Sequence, residues 1–284
     1  MKFDRAALAA SGSTTLFVLL WSSGAIFSKL GLAHATPIAF LILRFALAGS
    51  VLSGHGLMRR QWLPAAGMRG RVALTGALLI GSYSICYFQA LAHGVKPGVL
   101  ATLLGVQPIL TLLWVERRFS TVRFAGLMLA LGGLVLVVYQ GIGFARLSLA
   151  GIGFALLALV SMTVGAILQK GIREVPGAVL PLQYGVSLAL CLACLTFEPF
   201  AFEASAAFLV PLLWLGLVIS VLATLLFYRL IRAGNLVNVT SLFYLVPVGT
   251  AAMDYLFLGN PMAPLTLAGM AAILAGLALV FRTA

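Results

Sequence analysis

Apolar residues run in long blocks along this chain, each separated from the next by a short polar break. Blocks of about 17–25 residues are long enough to cross ~30 Å of hydrocarbon as helix. They are predicted at 14–32, 37–57, 72–93, 98–115, 123–141, 149–169, 179–197, 208–231, 236–257 and 264–282. A helix pairs its own backbone N–H and C=O groups, which hydrocarbon demands of any spanning segment. The pattern reads as an all-α membrane protein of ten transmembrane helices. No break between blocks is long enough to fold as a soluble domain, so no attached ATPase is expected and the membrane part must do the work.

Composition sharpens this picture. Hydrophobic residues make up 62% of the 284 and charged residues 8%, against roughly 25% charged in soluble chains. The net charge of +12 invites a nucleic-acid reading, but phosphate recognition needs a solvated basic face and these bases sit in short loops. With a cytoplasmic N-terminus, fourteen Lys and Arg fall on the cytoplasmic side and only Lys29, Lys96 and Arg146 on the other, the bias that orients membrane proteins. Both termini are expected in the cytoplasm, in a bacterial inner membrane, with no nucleic-acid partner. The basic start and first apolar block have the outline of a cleaved signal; because that block reaches span length and nine more follow, it is read as the first helix.

The chain also repeats itself. "GAIFSK" at 24–29 returns as "GAILQK" at 165–170, "GVQPIL" around Pro108 falls on "YLVPVG" around Pro247, and "FAGLMLALGGLVLV" at 124–137 lies on "LAGMAAILAGLALV" at 267–280, at offsets of 141, 139 and 143. Five spans are thereby duplicated, as 1–145 and 146–284. An odd number of spans sends the second copy into the membrane from the opposite side, so two inverted five-helix repeats are expected. Lys29 and Lys170, which close the two matching stretches, are expected to end their helices at opposite surfaces and snorkel to water. Inverted repeats let two halves rock around a midplane site, and a carrier is the natural reading.

The stretches "LWSSGAIFSKLGLAHATPIAFLILRFALAG", "YFQALAHGVKPGVLATLLGVQPILTLLW" and "SLFYLVPVGTAAMDYLFLGN" make the chain resemble EamA-type members of the drug/metabolite transporter superfamily over nearly its whole length. The resemblance implies five plus five helices, a basket-like cavity lined by helices one, three, four, six, eight and nine, and export of small metabolites, often amino acids. Where the family commonly has Gly-Glu before the last helix of each half, this chain has Gly259-Asn260 and, approximately, Glu116 in "WVERRFS".

Candidate substrate-binding residues are Trp21 and Ser22 in the first span, Tyr83 and Tyr87 in the third, Gln107 in the fourth, Met162 and Gln169 in the sixth, Phe227 in the eighth and Tyr244 in the ninth. Trp21, Ala25 and Ser28 share one face at i, i+4, i+7, and Tyr83 stacks over Tyr87, with Ser82, Cys86 and Gln89 toward another face. Pro108 and Pro247 remove one amide each and free the carbonyls of Leu104 and Phe243, making either static kinks or hinges. Aromatic faces with amides and hydroxyls suit a neutral, hydrophobic or aromatic amino acid. Arg44 and Asp254 are the ionisable groups inside the spans, and groups at such depth are functional by default; they are candidates for coupling, or for a structural ion pair.

Nothing in the pattern asks for catalysis, a metal or a cofactor. His34, His55 and His93 are dispersed, and the Cys191/Cys194 pair lies in continuous apolar sequence with Cys86 in another span, so packing is the expected role of the thiols. Other substrate classes, nucleotide sugars, polyamines or drug-like solutes, remain open, as does a channel. The glycine-rich faces of spans five and ten suit close packing, within one molecule or between two, so either a monomer or a weak homodimer is expected.

Overall fold

The structure is a computed structural model that describes residues 5–116, 120–142, 148–258 and 263–282, excluding the side chains of 5–11, 140–142, 254 and 257–258. Among the described residues, ten helices are long and apolar enough to cross a membrane: α1 (Gly12–Leu32), α2 (Pro37–Met58), α3 (Ala66–Ala92), α4 (Pro97–Val115), α5 (Thr121–Tyr139), α6 (Leu149–Lys170), α7 (Pro176–Thr196), α8 (Ala206–Ala233), α9 (Leu236–Met253) and α10 (Pro264–Arg282). Their starts follow local chemistry. Pro37, Pro97 and Pro176 sit in the first turn, where a missing N–H costs nothing. Ser148, Ser205 and Asn235 cap α6, α8 and α9 through their side-chain oxygens.

Four helices depart from regular α geometry in their interiors, in two matching pairs. A π-helical stretch runs over Ala77–Ser82 in α3 and over Trp214–Ala223 in α8. α4 breaks at Gly105 and Val106, just before Gln107 and Pro108, and α9 tightens into 3-10 geometry over Leu242–Tyr244, just before Pro247. Counting apolar residues carries no sign of the π stretches, and it misses the first turns of α3, which starts at Ala66 rather than near 72 because Arg69 and Arg71 interrupt the apolar run there.

Neighbour relations come in counterparts as well. α2 packs on α7, α4 on α9 and α5 on α10, while the contact of α3 with α6 is matched by that of α8 with α1. α5 and α10 touch backbone to backbone: a Cβ on Gly126 would lie 2.8 Å from the carbonyl oxygen of Gly276, and one on Gly133 would lie 2.6 Å from that of Gly269. The glycine faces of these two helices therefore pack within one molecule. As the number rises along α5 it falls along α10, so these corresponding helices run antiparallel.

The connections gather on two faces. On one, the Ala65 N–H donates to Glu174; Arg123 donates to Glu116 at 2.6 Å, to Asn235 at 2.9 Å and to Asn238 at 2.7 Å. Glu116, the approximate family match, is thus bound in a structural network. On the opposite face, Thr36 and Glu203 exchange backbone bonds with Ala201 and His34, and Glu198 accepts from the Ile38 N–H and from Gln89. Lys170 ends on the first face and Lys29 on the second. Cys86, Cys191 and Cys194 are free thiols.

Candidate functional site

A cavity opens between the halves. On α1 the stripe Trp21, Gly24, Ala25 and Ser28 lines it, in the i, i+3, i+4, i+7 order of one helical face. From α3 come Tyr83, Ser84, Tyr87 and Phe88, directly after the π stretch, whose extra residue per turn re-aims the side chains beyond it. α4 contributes Leu104, Gly105 and Gln107 around its break, α9 contributes Phe243, Val246 and Pro247 around its own, and Arg44, Met162, Leu215 and Ile219 complete the wall. The space holds the centres of water-sized atoms over about 140 Å³, some ten times the ~10–15 Å³ one water needs, so a small solute fits.

The cavity reaches Ser28 and Pro97 near the Lys29 face. Toward the Lys170 face four rings close it. Phe17, Trp21, Phe227 and Phe243 pack mutually with centroids 5.1–5.6 Å apart, and Phe17 and Phe227 are fully buried.

Of the residues singled out from sequence, Trp21, Arg44, Tyr83, Tyr87, Gln107, Met162 and Pro247 come together at this cavity. Others lie elsewhere for identifiable reasons. The Ser22 hydroxyl donates to the carbonyls of Val18 and Val246, fastening α1 to α9. Gln169 accepts from Gln183, which in turn accepts from the Tyr228 hydroxyl. Phe227 belongs to the four-ring seal, Tyr244 is buried in a separate cluster with residues of α4, α5 and α10, and Pro108 is buried behind Gln107. The side chain of Asp254, like Gly259 and Asn260, lies outside the described residues. Lining residues that sequence reasoning missed include Ser84, Phe88 and Val246; the last stands 139 positions after Gln107 and was available from the repeat.

The two copies of the repeated stretch occupy different surroundings. Gly24 has open space where a Cβ would be, whereas one on Gly165 would lie 2.8 Å from the Leu79 backbone. Ala25 lines the cavity while its counterpart Ala166 is fully buried, and Ser28 and Gln169 are equally buried but Ser28 faces the cavity while Gln169 is bonded to Gln183. The lysines differ in the same sense. Lys170 does not simply snorkel: its ammonium donates to the carbonyl oxygens of Ile231 at 2.7 Å and Gly234 at 2.6 Å and, more weakly, of Arg232 at 3.3 Å. These are orphan acceptors at the C-terminus of α8, where a cation is favoured. Exposed Lys29 has no such partner among the described residues.

Comparison with known proteins fits this architecture. The EamA-like transporter family matches residues 12–139 and again 149–282. The chain is 26% identical to the uncharacterized transporter YvbV of Bacillus subtilis, across 93% of this chain and 88% of that one. It is 24% identical to a Salmonella typhimurium protein named a probable amino-acid metabolite efflux pump, across 92% and 91%. A solved crystal structure 22% identical in sequence superposes with a TM-score of 0.79 over 97% of this chain and 99% of that one, which establishes a shared fold. With the family matched over both halves, this chain belongs to the EamA-like transporter family.

Proposed function

We propose that the chain is a secondary or facilitative carrier, rather than an enzyme, that exports neutral, hydrophobic or aromatic amino acids by alternating access between two inverted halves, 1–145 and 146–284. The observation that carries this reading is the unequal state of the two copies: α1 turns Gly24, Ala25 and Ser28 to the cavity, whereas on α6 the matching Gly165 packs on the α3 backbone and Gln169 is bonded to Gln183 of α7. In an inverted pair, exchanging these roles closes the Lys29 side and opens the Lys170 side. The antiparallel α5–α10 contact supports the inversion. The excess of Lys and Arg on the Lys170 face supports a cytoplasmic assignment for it, and with it a bacterial inner-membrane protein with both termini inside.

Aromatic walls and the relative named for amino-acid metabolite efflux support the substrate class. The test is counterflow into liposomes holding purified protein, with labelled phenylalanine, leucine, methionine and threonine beside a nucleotide sugar and spermidine. Saturable accumulation led by hydrophobic amino acids is expected. Spermidine or the nucleotide sugar in the lead would overturn the substrate class, and flux that never saturates and shows no counterflow would make the protein a channel.

A further inference from the structure

Arg44 is half-buried on α2 and lines the cavity. Among the described residues its only hydrogen bond is from Nε to the Ser220 hydroxyl, 2.8 Å away on the π stretch of α8. No acidic side chain lies within ion-pair distance of it among the described residues; the ion pairs found there join Arg123 to Glu116 and His34 to Glu203. The guanidinium carbon also stands 5.9 Å from the centre of the Phe45 ring, and among the described residues the two terminal nitrogens have no hydrogen-bond acceptor. An arginine kept in the membrane without a counter-charge is costly. Its planar fork matches a carboxylate bidentately.

A second group on the same wall has the same deficiency. Gln107, 1% exposed at the break in α4, has an amide nitrogen with no hydrogen-bond partner. Buried polar atoms without partners are rare. The repeat provides a contrast, because Gln183 stands 139 positions after Arg44, as Pro176 does after Pro37. In the closed half both polar atoms of the Gln183 amide have a partner, the nitrogen donating to Gln169 and the oxygen accepting from Tyr228. On the cavity side a cation stands in the place of the amide, and among the described residues Ser220 is its one hydrogen-bond acceptor.

We infer that Arg44 is a carboxylate-binding subsite, assisted by Gln107, so that the cavity takes amphiphilic monocarboxylates whose apolar part stacks on Trp21, Tyr83 and Tyr87. This rests on the carrier reading and narrows it: the carboxylate, rather than the ammonium, is the group recognised by charge. A polyamine or a bare amine is disfavoured by the same guanidinium.

The test compares 3-phenylpropionate, phenylalanine, phenylalaninamide and phenethylamine by titration calorimetry on purified full-length protein, with labelled phenylalanine counterflow as a parallel arm. Both acids are expected to bind at least ~10-fold more tightly than the amide and the amine, the difference of one charge-assisted contact. R44Q should erase that discrimination and R44K retain part of it, with thermal unfolding checking that each variant is folded. Because the four ligands are compared on the unmodified protein, a variant that fails to fold leaves the decision intact. Equal binding of acid and amide, or no binding of either acid, overturns the subsite. Acid-selective binding without counterflow would keep the subsite and overturn the carrier reading.

Discussion

Lys170→Met is expected to loosen the Lys170 face and shift the protein toward the conformation open on that side. In the present conformation the ammonium ties α6 to the last carbonyls of α8 through Ile231, Arg232 and Gly234. Hydrogen bonds to a charged group contribute about 1.5–3 kcal/mol each when sheltered, but Lys170 is exposed and solvent takes much of that. A net effect of roughly 1–2 kcal/mol, or about 5–30-fold in the ratio of two conformations, is the reasonable scale. Spin labels on Arg173 and Ala233, both exposed beside the latch, should report a longer-distance population in the variant. Lys29→Met should leave that distance distribution unchanged or narrow it, because Lys29 has no hydrogen-bond partner among the described residues and, under the proposed exchange of roles, would latch the opposite conformation onto the carbonyls that end α3. Equal effects of the two substitutions would refute the latch.

The largest loss of folded protein is expected from Gly269→Leu. A Cβ at that position would sit 2.6 Å from the Gly133 carbonyl oxygen and 2.8 Å from the Val137 nitrogen. These are backbone atoms of a packed helix and cannot turn aside as a side chain would. Overpacking commonly costs about 1–3 kcal/mol, and separating two backbones in direct contact should reach or exceed the top of that range. Gly132→Leu is the matched control, since Gly132 on α5 has no atom within 4 Å of a Cβ. Monodisperse protein by size-exclusion chromatography with an unchanged thermal midpoint is expected for Gly132→Leu, and aggregation or a sharply lowered midpoint for Gly269→Leu. A Gly269→Leu variant as stable as its parent would mean that α5 and α10 do not touch as described.

Architecture was readable in the sequence because one strong physical demand sets it: a span needs a fixed length of apolar helix, and ten such lengths are present. The lining of α1 was readable too, since Trp21, Ala25 and Ser28 follow an undistorted helical period. Gln169 went elsewhere because the repeat carries equivalent residues but not equivalent states. Its counterpart Ser28 faces the cavity, whereas Gln169 is closed against Gln183. Ser84 and Phe88 escaped notice because they follow Tyr83 and Tyr87 by one residue on the same regular helical segment, and a small hydroxyl and an apolar ring there look like ordinary packing residues. Ser22 looked like a cavity hydroxyl but gives its hydrogen bond to α9, a choice that depends on how closely Gly249 lets the two helices approach.

The exchange of roles between the halves is tested most directly by thiol reactivity at the paired positions Ala25 and Ala166, in a chain whose Cys86, Cys191 and Cys194 are replaced. Ala25→Cys, on the cavity, should react readily with a polar maleimide in detergent, and Ala166→Cys, fully buried, should be protected. Adding Lys170→Met should reverse that order, raising reactivity at 166 and lowering it at 25. Reactivity that rises at both positions together, or a residue 166 that stays protected under every condition that supports transport, would contradict alternating access between two equivalent halves.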